Sequence, residues 1–242
     1  MHAAALILAD SRFPGGGHVH SGGLEEAAAR GLVRTTADLA LFLHGRLATA
    51  GALAATFAAA AAHFASAAPH SCQQGRVECQ ECGIAAKWAT LDEECDARTP
   101  SPAQRAASRA QGRATVRAGR AAWPSPVLES LLAASARPHH AIVLGALAGI
   151  AGAPPADAAL AAGYLAISGP ASAAVRLLGL DPFAVNAAVA ALSVRVEDIA
   201  AEAARTAGLP PADLPAPGAP GLDLLAEAHH RHHLEEVRLF AS

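Results

Sequence analysis

Lysine and aromatic residues are almost absent from this sequence of 242 residues. It has a single lysine, Lys87, beside 17 arginines, and only 4% of its residues are aromatic. A phosphate-binding loop of the G-x-x-x-x-G-K-[ST] type needs a lysine next to its glycines, and Lys87 has no such setting, so this class of nucleotide site is excluded. Residues that favour strands are also scarce, which argues against an all-β fold.

Alanine is the most abundant residue, with 67 copies in the chain. It is the strongest helix former, and its small side chain lets neighbouring helices pack closely. The composition therefore predicts an all-α fold. We expect a single compact multi-helix domain that spans residues 1–242.

The charge balance is slightly acidic, with a formal net charge of −3 at pH 7. We therefore expect no binding to nucleic acid or to an anionic membrane surface. The first ten residues lack a basic segment, and Asp10 interrupts their apolar run, so we expect no secretory signal. Prolines break the longer apolar runs too early for a membrane span. These features predict a cytoplasmic protein with reduced cysteines.

Apolar periodicity and cap residues predict the helices. Thr35 or Thr36 caps a long core helix, and Ser101-Pro102 and Asp181-Pro182 each place proline directly after a cap residue. The predicted helices cover residues 3–9, a stretch from about 24, 36–64, 85–96, 102–123, 126–135, 139–151, 156–167, 170–179, 182–207 and a stretch from about 222.

Three segments differ from this helical pattern. Residues 66–95 have a different composition and are interpreted as a variable insertion. Residues 208–221 form a proline-rich connector. Residues 222–242, called the C-terminal arm below, are predicted to be a docking element, because a short apolar and arginine-containing end beyond such a connector buries little within its own domain.

The most unusual local feature is the glycine-rich stretch FPGGGHVHSGGLEE, which begins at Phe13. No strand precedes it, and its glycines match neither a dinucleotide-binding fingerprint nor a phosphate-binding loop. Ser21 lacks the glycine two residues earlier that a nucleophile elbow requires. We find no base, nucleophile and oxyanion donor that the sequence would assemble, so we expect no enzymatic activity.

Residues 10–25, called the signature segment below, resemble a known family. Ser11 to Gly16 fits S-x-x-P-x-G, and Ser21 to Glu25 fits S-x-G-L-E, which together resemble the N-terminal signature of the urease accessory protein UreF family. Later stretches follow in the family's order: RAASRAQG at 105–112, RPHH at 137–140, YL at 164–165, SAAVRL at 172–177 and RLFAS at 238–242.

This resemblance implies an all-α, dimeric maturation factor, or chaperone, without a catalytic centre. Such a protein assembles with UreD (also called UreH) and the GTPase UreG on apo-urease and helps nickel reach the urease active site. The residues that match the family motifs are the candidate partner contacts. They are Pro14, Gly15, Ser21, Gly23, Leu24 and Glu25 in the signature segment, Arg176 in the core, and Arg238, Leu239 and Phe240 in the C-terminal arm.

Four cysteines and a histidine cluster provide the alternative function, a helical metal-binding module. The cysteines are Cys72, Cys79, Cys82 and Cys95, of which only Cys79 and Cys82 have the short spacing typical of a tetrahedral zinc site. A structural zinc site and exposed thiols are the two interpretations. The histidines are His229, His230, His232 and His233, and the alternatives there are nickel binding and a weak adventitious site. Otherwise we expect no cofactor.

Two further patterns fall on predicted helices. Arg105, Arg109, Arg113 and Arg117 recur every four residues and form a basic stripe, which is either a solvated face or a docking surface for an acidic partner. Gly145 and Gly149 form a G-x-x-x-G segment, which indicates close helix packing within the domain or at a dimer contact.

Overall fold

The computed structural model describes residues 1–16, 20–68, 84–215 and 217–239, with side chains described as far as His232. These ranges contain helices and no strand, which confirms the all-α prediction. The α-helices, in chain order, are α1 (Ala3–Ala9), α2 (Leu24–Ala29), α3 (Thr36–Arg46), α4 (Ala52–Ser66), α5 (Ile84–Ala97), α6 (Pro102–Ala122), α7 (Pro126–Ala134), α8 (His140–Ile150), α9 (Pro155–Leu178), α10 (Pro182–Ala190), α11 (Ser193–Thr206) and α12 (Pro220–Leu239).

The alanine-rich helix α4 lies at the centre of the domain. It packs against α8, α9 and α11. Its alanines from Ala58 to Ala62 are completely buried. Because alanine combines a small side chain with high helix propensity, the three neighbouring helices can approach α4 closely.

Gly145 and Gly149 of α8 lie where this approach is closest. A Cβ atom on Gly145 would lie 2.1 Å from the carbonyl oxygen of Ala58, and a Cβ atom on Gly149 would lie 2.5 Å from that of Ala62. Both distances are far below van der Waals contact, so each position requires glycine. The G-x-x-x-G segment therefore packs within the domain, as one of the two sequence interpretations predicted.

Larger side chains form two apolar clusters, and α4 contributes to both. One contains Phe57, Trp88 and Leu144. The other contains Leu39 of α3 and Leu24, the last apolar residue of the signature segment. Leu24 is completely buried, so the signature segment is anchored to the core at its end.

The predicted helix starts are confirmed where cap residues mark them. Thr35 and Asp38 form a capping box at the start of α3. Ser101 caps α6 through its hydroxyl, and Asp181 caps α10 through its carboxylate. In the last two cases proline follows at the first helical position. A backbone N–H at this position has no acceptor within the helix, so proline loses no hydrogen bond there.

The chain is divided into helices differently from the prediction in two places. Residues 156–167 and 170–179 belong to one continuous helix, α9, with Pro170 inside it. Residues 182–207 are instead divided into α10 and α11 by a turn at Ala191 and Leu192. Helix propensity does not mark this turn; Leu192 is buried there, and α11 turns to pack against α4.

Helices α3 and α4 are joined by a π-helical turn, Leu47–Gly51. Such turns occur frequently at functional sites.

By length and composition alone, the segments Thr36–Ser66 and Pro155–Leu178 are long and apolar enough to cross a membrane. Of the windows that meet this test, 61% and 56% are buried inside the domain, as is typical of core helices.

The predicted insertion lies partly outside the described residues, which resume at Ile84. Residues 84–95 of it form most of α5, where Trp88 and Leu91 are completely buried. The indole N–H of Trp88 donates a hydrogen bond to Ser130 Oγ at 3.1 Å, which joins α5 to α7.

Helix α12 begins two residues before the predicted start and continues to Leu239.

Candidate functional site

The first half of the signature segment has a defined turn with one exposed proline. Asp10 accepts hydrogen bonds from the backbone N–H and the guanidinium of Arg12, and these bonds lower the pKa of Asp10 to about 2. Gly15 is buried, and a Cβ atom there would lie 3.0 Å from Thr115 Oγ1 of α6. Pro14 is exposed. This half therefore presents Pro14 on a backbone that rests on α6.

The second half turns sharply into α2. Gly22 and Gly23 have φ angles of 63° and 92°, which side-chain-bearing residues rarely adopt. Ser21 Oγ accepts a hydrogen bond from the backbone N–H of Glu25 at 3.3 Å. Leu24 is buried and Glu25 is exposed. The two glycines thus allow one side chain to enter the core while the next one faces solvent.

Glu26 is a buried carboxylate that the sequence analysis missed. Its carboxylate accepts a hydrogen bond from Arg30 Nε at 2.7 Å, and its other oxygen lies 3.2 Å from Nδ1 of His232. Burial alone would raise the pKa of Glu26, but the hydrogen bonds from Arg30 and His232 outweigh it and lower this pKa. Glu26 thereby links the signature segment to α12, and neighbouring Glu25 lies 4.0 Å from His229.

Helix α12 is also attached to the beginning of α6 by polar contacts. Glu227 accepts hydrogen bonds from the Ser101 hydroxyl at 2.6 Å and from the backbone N–H of Ala103 at 2.9 Å. These bonds lower the pKa of Glu227. Asp223 accepts a hydrogen bond from Gln104 Nε2 at 2.9 Å. The first half of α12 therefore places Asp223 and Glu227 at the N-terminus of α6, where a negative charge is favourable.

A buried histidine joins α5, α6 and the start of α8. The two ring nitrogens of His139 lie 2.8 Å from Asp96 Oδ1 and 3.0 Å from Ser108 Oγ. Burial lowers the pKa of His139 despite the hydrogen bond with Asp96, which raises it. Arg109 pairs with Asp92 at 3.0 Å and with Asp96 at 2.7 Å. Each side chain of this network has a polar partner, so the network holds the three helices together.

The basic stripe on α6 is divided by these contacts. Arg105 and Arg109 face α5, where they lie within salt-bridge distance of Asp96. Arg113 and Arg117 are exposed. An entirely solvated face is therefore wrong for the first half of the stripe, and for the exposed second half the solvated face and the docking surface both stay predictions.

A cavity of about 580 Å³ lies between the signature segment, α6 and α12. Its apolar wall includes Leu53, Leu144 and Leu165. Burial and the neighbouring His20 lower the pKa of His140 to about 4, so this imidazole is neutral at pH 7. The histidines that line the cavity are His20, His139, His140, His229 and His230.

The structure describes only part of the predicted metal sites. Cys72, Cys79 and Cys82 lie outside the described residues. Cys95 exposes 5% of its surface, and burial, together with Asp92 and Asp96, raises the pKa of its thiol. The described residues contain no group of three or more His, Cys, Asp or Glu side chains that could hold a metal ion. Metal binding by the four cysteines or by the histidine cluster stays a prediction.

Of the remaining candidate contacts, the structure describes only the side chain of Arg176. Arg176 is exposed in the last turn of α9 and is not among the residues that line the cavity. Arg238 and Leu239 are the last described residues of α12, and their side chains, like the whole of Phe240, lie outside the described part of the chain. The described site thus consists of the signature segment and α12.

These observations define an all-α protein whose N-terminal signature segment is held between its core and its own C-terminal helix. Comparison with known proteins then places the chain more narrowly. The UreF family profile matches residues 33–193. The chain belongs to the UreF family of urease accessory proteins.

Similarity to individual members extends over almost the full length. The chain is 44% identical over 241 residues to the urease accessory protein UreF of Mycolicibacterium vanbaalenii, which covers 99% of this chain and 98% of that protein. The UreF proteins of Mycobacterium bovis and Mycobacterium tuberculosis are 44% and 43% identical over the same length. These alignments include the signature segment, which lies before the region that the family profile matches.

Proposed function

We propose that this chain is a cytoplasmic maturation factor of urease. It assembles with UreD (also called UreH) and the GTPase UreG on apo-urease, and it assists the GTP-dependent insertion of nickel. In this proposal nickel is the cargo of the complex, and the chain acts through its surfaces. Membership of the UreF family and the similarity to proteins named urease accessory protein support the proposal.

The structural observation that supports it most directly is the placement of the described parts of the signature segment, residues 10–16 and 20–25. Gly15 and Leu24 are buried, whereas Pro14 and Glu25 point to solvent. A loop that is held in place before binding loses less conformational entropy when a partner docks. The exposed side chains of this segment are therefore suited to contact another protein.

The described part of α12, whose last residues are Arg238 and Leu239, begins its final turns close to the signature segment. His232 of α12 contacts Glu26, and α12 continues for seven residues to Leu239. At 1.5 Å per residue this extension is about 10 Å long. A single partner, UreD in our proposal, can therefore contact both the signature segment and the end of the C-terminal arm.

Co-purification with affinity-tagged UreD tests this function. We expect the full chain to be retained by UreD, and a variant that lacks Val237 to Ser242 to be lost while its helical circular dichroism is unchanged. The double substitution Pro14→Ala and Glu25→Lys should weaken retention as well. Glu197→Lys, an exposed change on α11, is the matched control. Failure of the full chain to bind UreD would contradict the proposal.

We also propose that the chain forms a homodimer through α3 and α10. These adjacent helices expose Leu41 and Phe183, with 76% and 86% of their surfaces accessible. Large apolar side chains exposed this fully on neighbouring helices are typical of protein interfaces. A second copy of the chain would bury both.

A further inference from the structure

Arg46, the last residue of α3, contacts two segments that are distant in the sequence. Its Nε–H donates a hydrogen bond to the carbonyl oxygen of Ala166 in α9 at 2.8 Å. One of its terminal nitrogens donates to the carbonyl oxygen of Gly22 in the signature segment at 2.6 Å. A single side chain therefore joins the core helix α9 to the signature segment.

The contact with Ala166 has a clear cause in α9. In a regular helix the carbonyl oxygen of Ala166 would accept the N–H of the residue four positions later, which is Pro170 and has none. Arg46 provides the missing donor. With alanine at position 170, the backbone N–H of that residue would donate to the carbonyl oxygen of Ala166 instead. The hydrogen bond from Arg46 therefore compensates for the proline.

The contact with Gly22 is equally specific. Gly22 lies directly on the guanidinium, and a Cβ atom there would lie 2.7 Å from the Cζ atom of Arg46. A planar group with several N–H donors can reach two carbonyl oxygens in different directions at once, whereas lysine has only one nitrogen. The absence of a side chain at position 22 thus matches the arginine at position 46.

Burying the charged guanidinium of Arg46 costs free energy. Burial lowers the pKa of this guanidinium to about 10, so it stays protonated at neutral pH. Removing an ion from water is unfavourable, and here carbonyl oxygens rather than a carboxylate are its hydrogen-bond acceptors. Arg46 also directly precedes the π-helical turn Leu47–Gly51.

We propose that Arg46 is a positioning residue for partner binding. It holds the carbonyl of Gly22 close to the carbonyl of Ala166, which Pro170 leaves without a helical donor. It thereby sets the orientation of residues 21–25, whose exposed side chains would face the partner. This inference rests on the proposed function, in which the signature segment binds UreD.

The experiment compares three variants with the wild type: Arg46→Met, Pro170→Ala and the double variant. Arg46→Met removes both hydrogen bonds, and we expect a melting temperature lower by about 5 °C and UreD binding weaker by about tenfold. Pro170→Ala gives Ala166 a helical donor and should bind UreD normally. The double variant should regain part of the melting temperature but not the binding, because Ala166 has a donor again whereas the carbonyl of Gly22 still lacks one.

Three results would overturn the inference. One is wild-type binding by Arg46→Met, and another is recovery of binding together with stability in the double variant, which would show that Arg46 acts on stability alone. The third is independent of UreD. Amide hydrogen exchange of residues 21–25 should be faster in the double variant than in Pro170→Ala, and equal rates would contradict the positioning role even if the wild-type chain failed to bind UreD.

Discussion

Nδ1 of His232 lies 3.2 Å from Oε2 of Glu26, a carboxylate that exposes only 3% of its surface. These residues are 206 positions apart, and their contact attaches the C-terminal helix to the signature segment. Glu26 also accepts a hydrogen bond from Arg30. The buried charge of Glu26 is therefore one of the contacts that join α2 to α12, and its removal should affect both helices.

Glu26→Gln should lower the free energy of unfolding by about 2 kcal/mol at pH 7, because a buried hydrogen-bonded charge is replaced by an amide with fewer acceptors. The pKa of Glu26 is lowered from its ordinary value of 4.5, so its contribution is present above that pH and is lost as the pH falls through the folded-state pKa. Urea denaturation at pH 7 and pH 3 measures this. Glu93→Gln, an exposed change on α5, is the control, and an equal loss at both pH values would contradict the assignment.

His140 should make the fold less stable in mild acid. Its pKa is lowered from 6.5 to about 4, so the unfolded chain binds a proton more readily between these values. Stability should therefore fall as the pH drops through this window, by up to about 3 kcal/mol. His140→Gln should reduce this dependence in denaturant titrations at pH 7 and pH 5. The exposed His44→Gln should retain it, and an unchanged slope in His140→Gln would show that other groups are responsible.

Gly145→Ala should destabilise the domain by about 3 kcal/mol or more, because the new Cβ atom would meet the backbone oxygen of Ala58 at 2.1 Å and neither helix can move without disturbing the core. Gly45→Ala is the matched control, since nothing lies within 4 Å of its Cβ position in α3. That change should stabilise the helix by about 0.5–1 kcal/mol. Thermal unfolding of both variants gives the comparison, and similar shifts would contradict the close approach of α8 to α4.

Phe183→Ser should shift the proposed homodimer towards monomer. Among the large apolar side chains that the structure describes, the ring is the most exposed, so its loss should not disturb the fold. Size-exclusion chromatography with light scattering gives the mass over a dilution series. Leu209→Ser, a change at an exposed leucine outside the proposed interface, should leave the mass unchanged. A wild-type chain that is monomeric at all concentrations would refute the interface.

Cys95 should be chemically silent in the native protein, because burial and two nearby carboxylates keep its thiol protonated. Titration with a thiol reagent should give the same native count for the wild type and for Cys95→Ser. In guanidinium chloride the counts should differ by one. Native reaction of Cys95 would mean that α5 opens.

Zinc analysis of the wild type beside the Cys79→Ser and Cys82→Ser double variant tests the metal prediction separately.

The parts of the fold that were predictable depend on interactions within a few residues. The Thr35 and Asp38 capping box and the Ser101-Pro102 start are such local signals, and the structure confirms both. The candidate site was predictable in its chain position, through the motifs of the signature segment. The sequence did not predict that Pro14 would be exposed and Leu24 buried, because burial depends on which helices lie beside the segment.

By itself, the sequence determined the helical class, the cap positions and the family resemblance, since alanine content and short motifs act locally. Only the tertiary structure decided that α9 continues through Pro170, because the compensating donor is Arg46, 120 residues away from Ala166. It also decided that Glu26 contacts His232 and that Arg109 pairs with Asp92 and Asp96 rather than facing solvent. Such contacts depend on the packing of helices that are distant in the chain, and no local propensity encodes that packing.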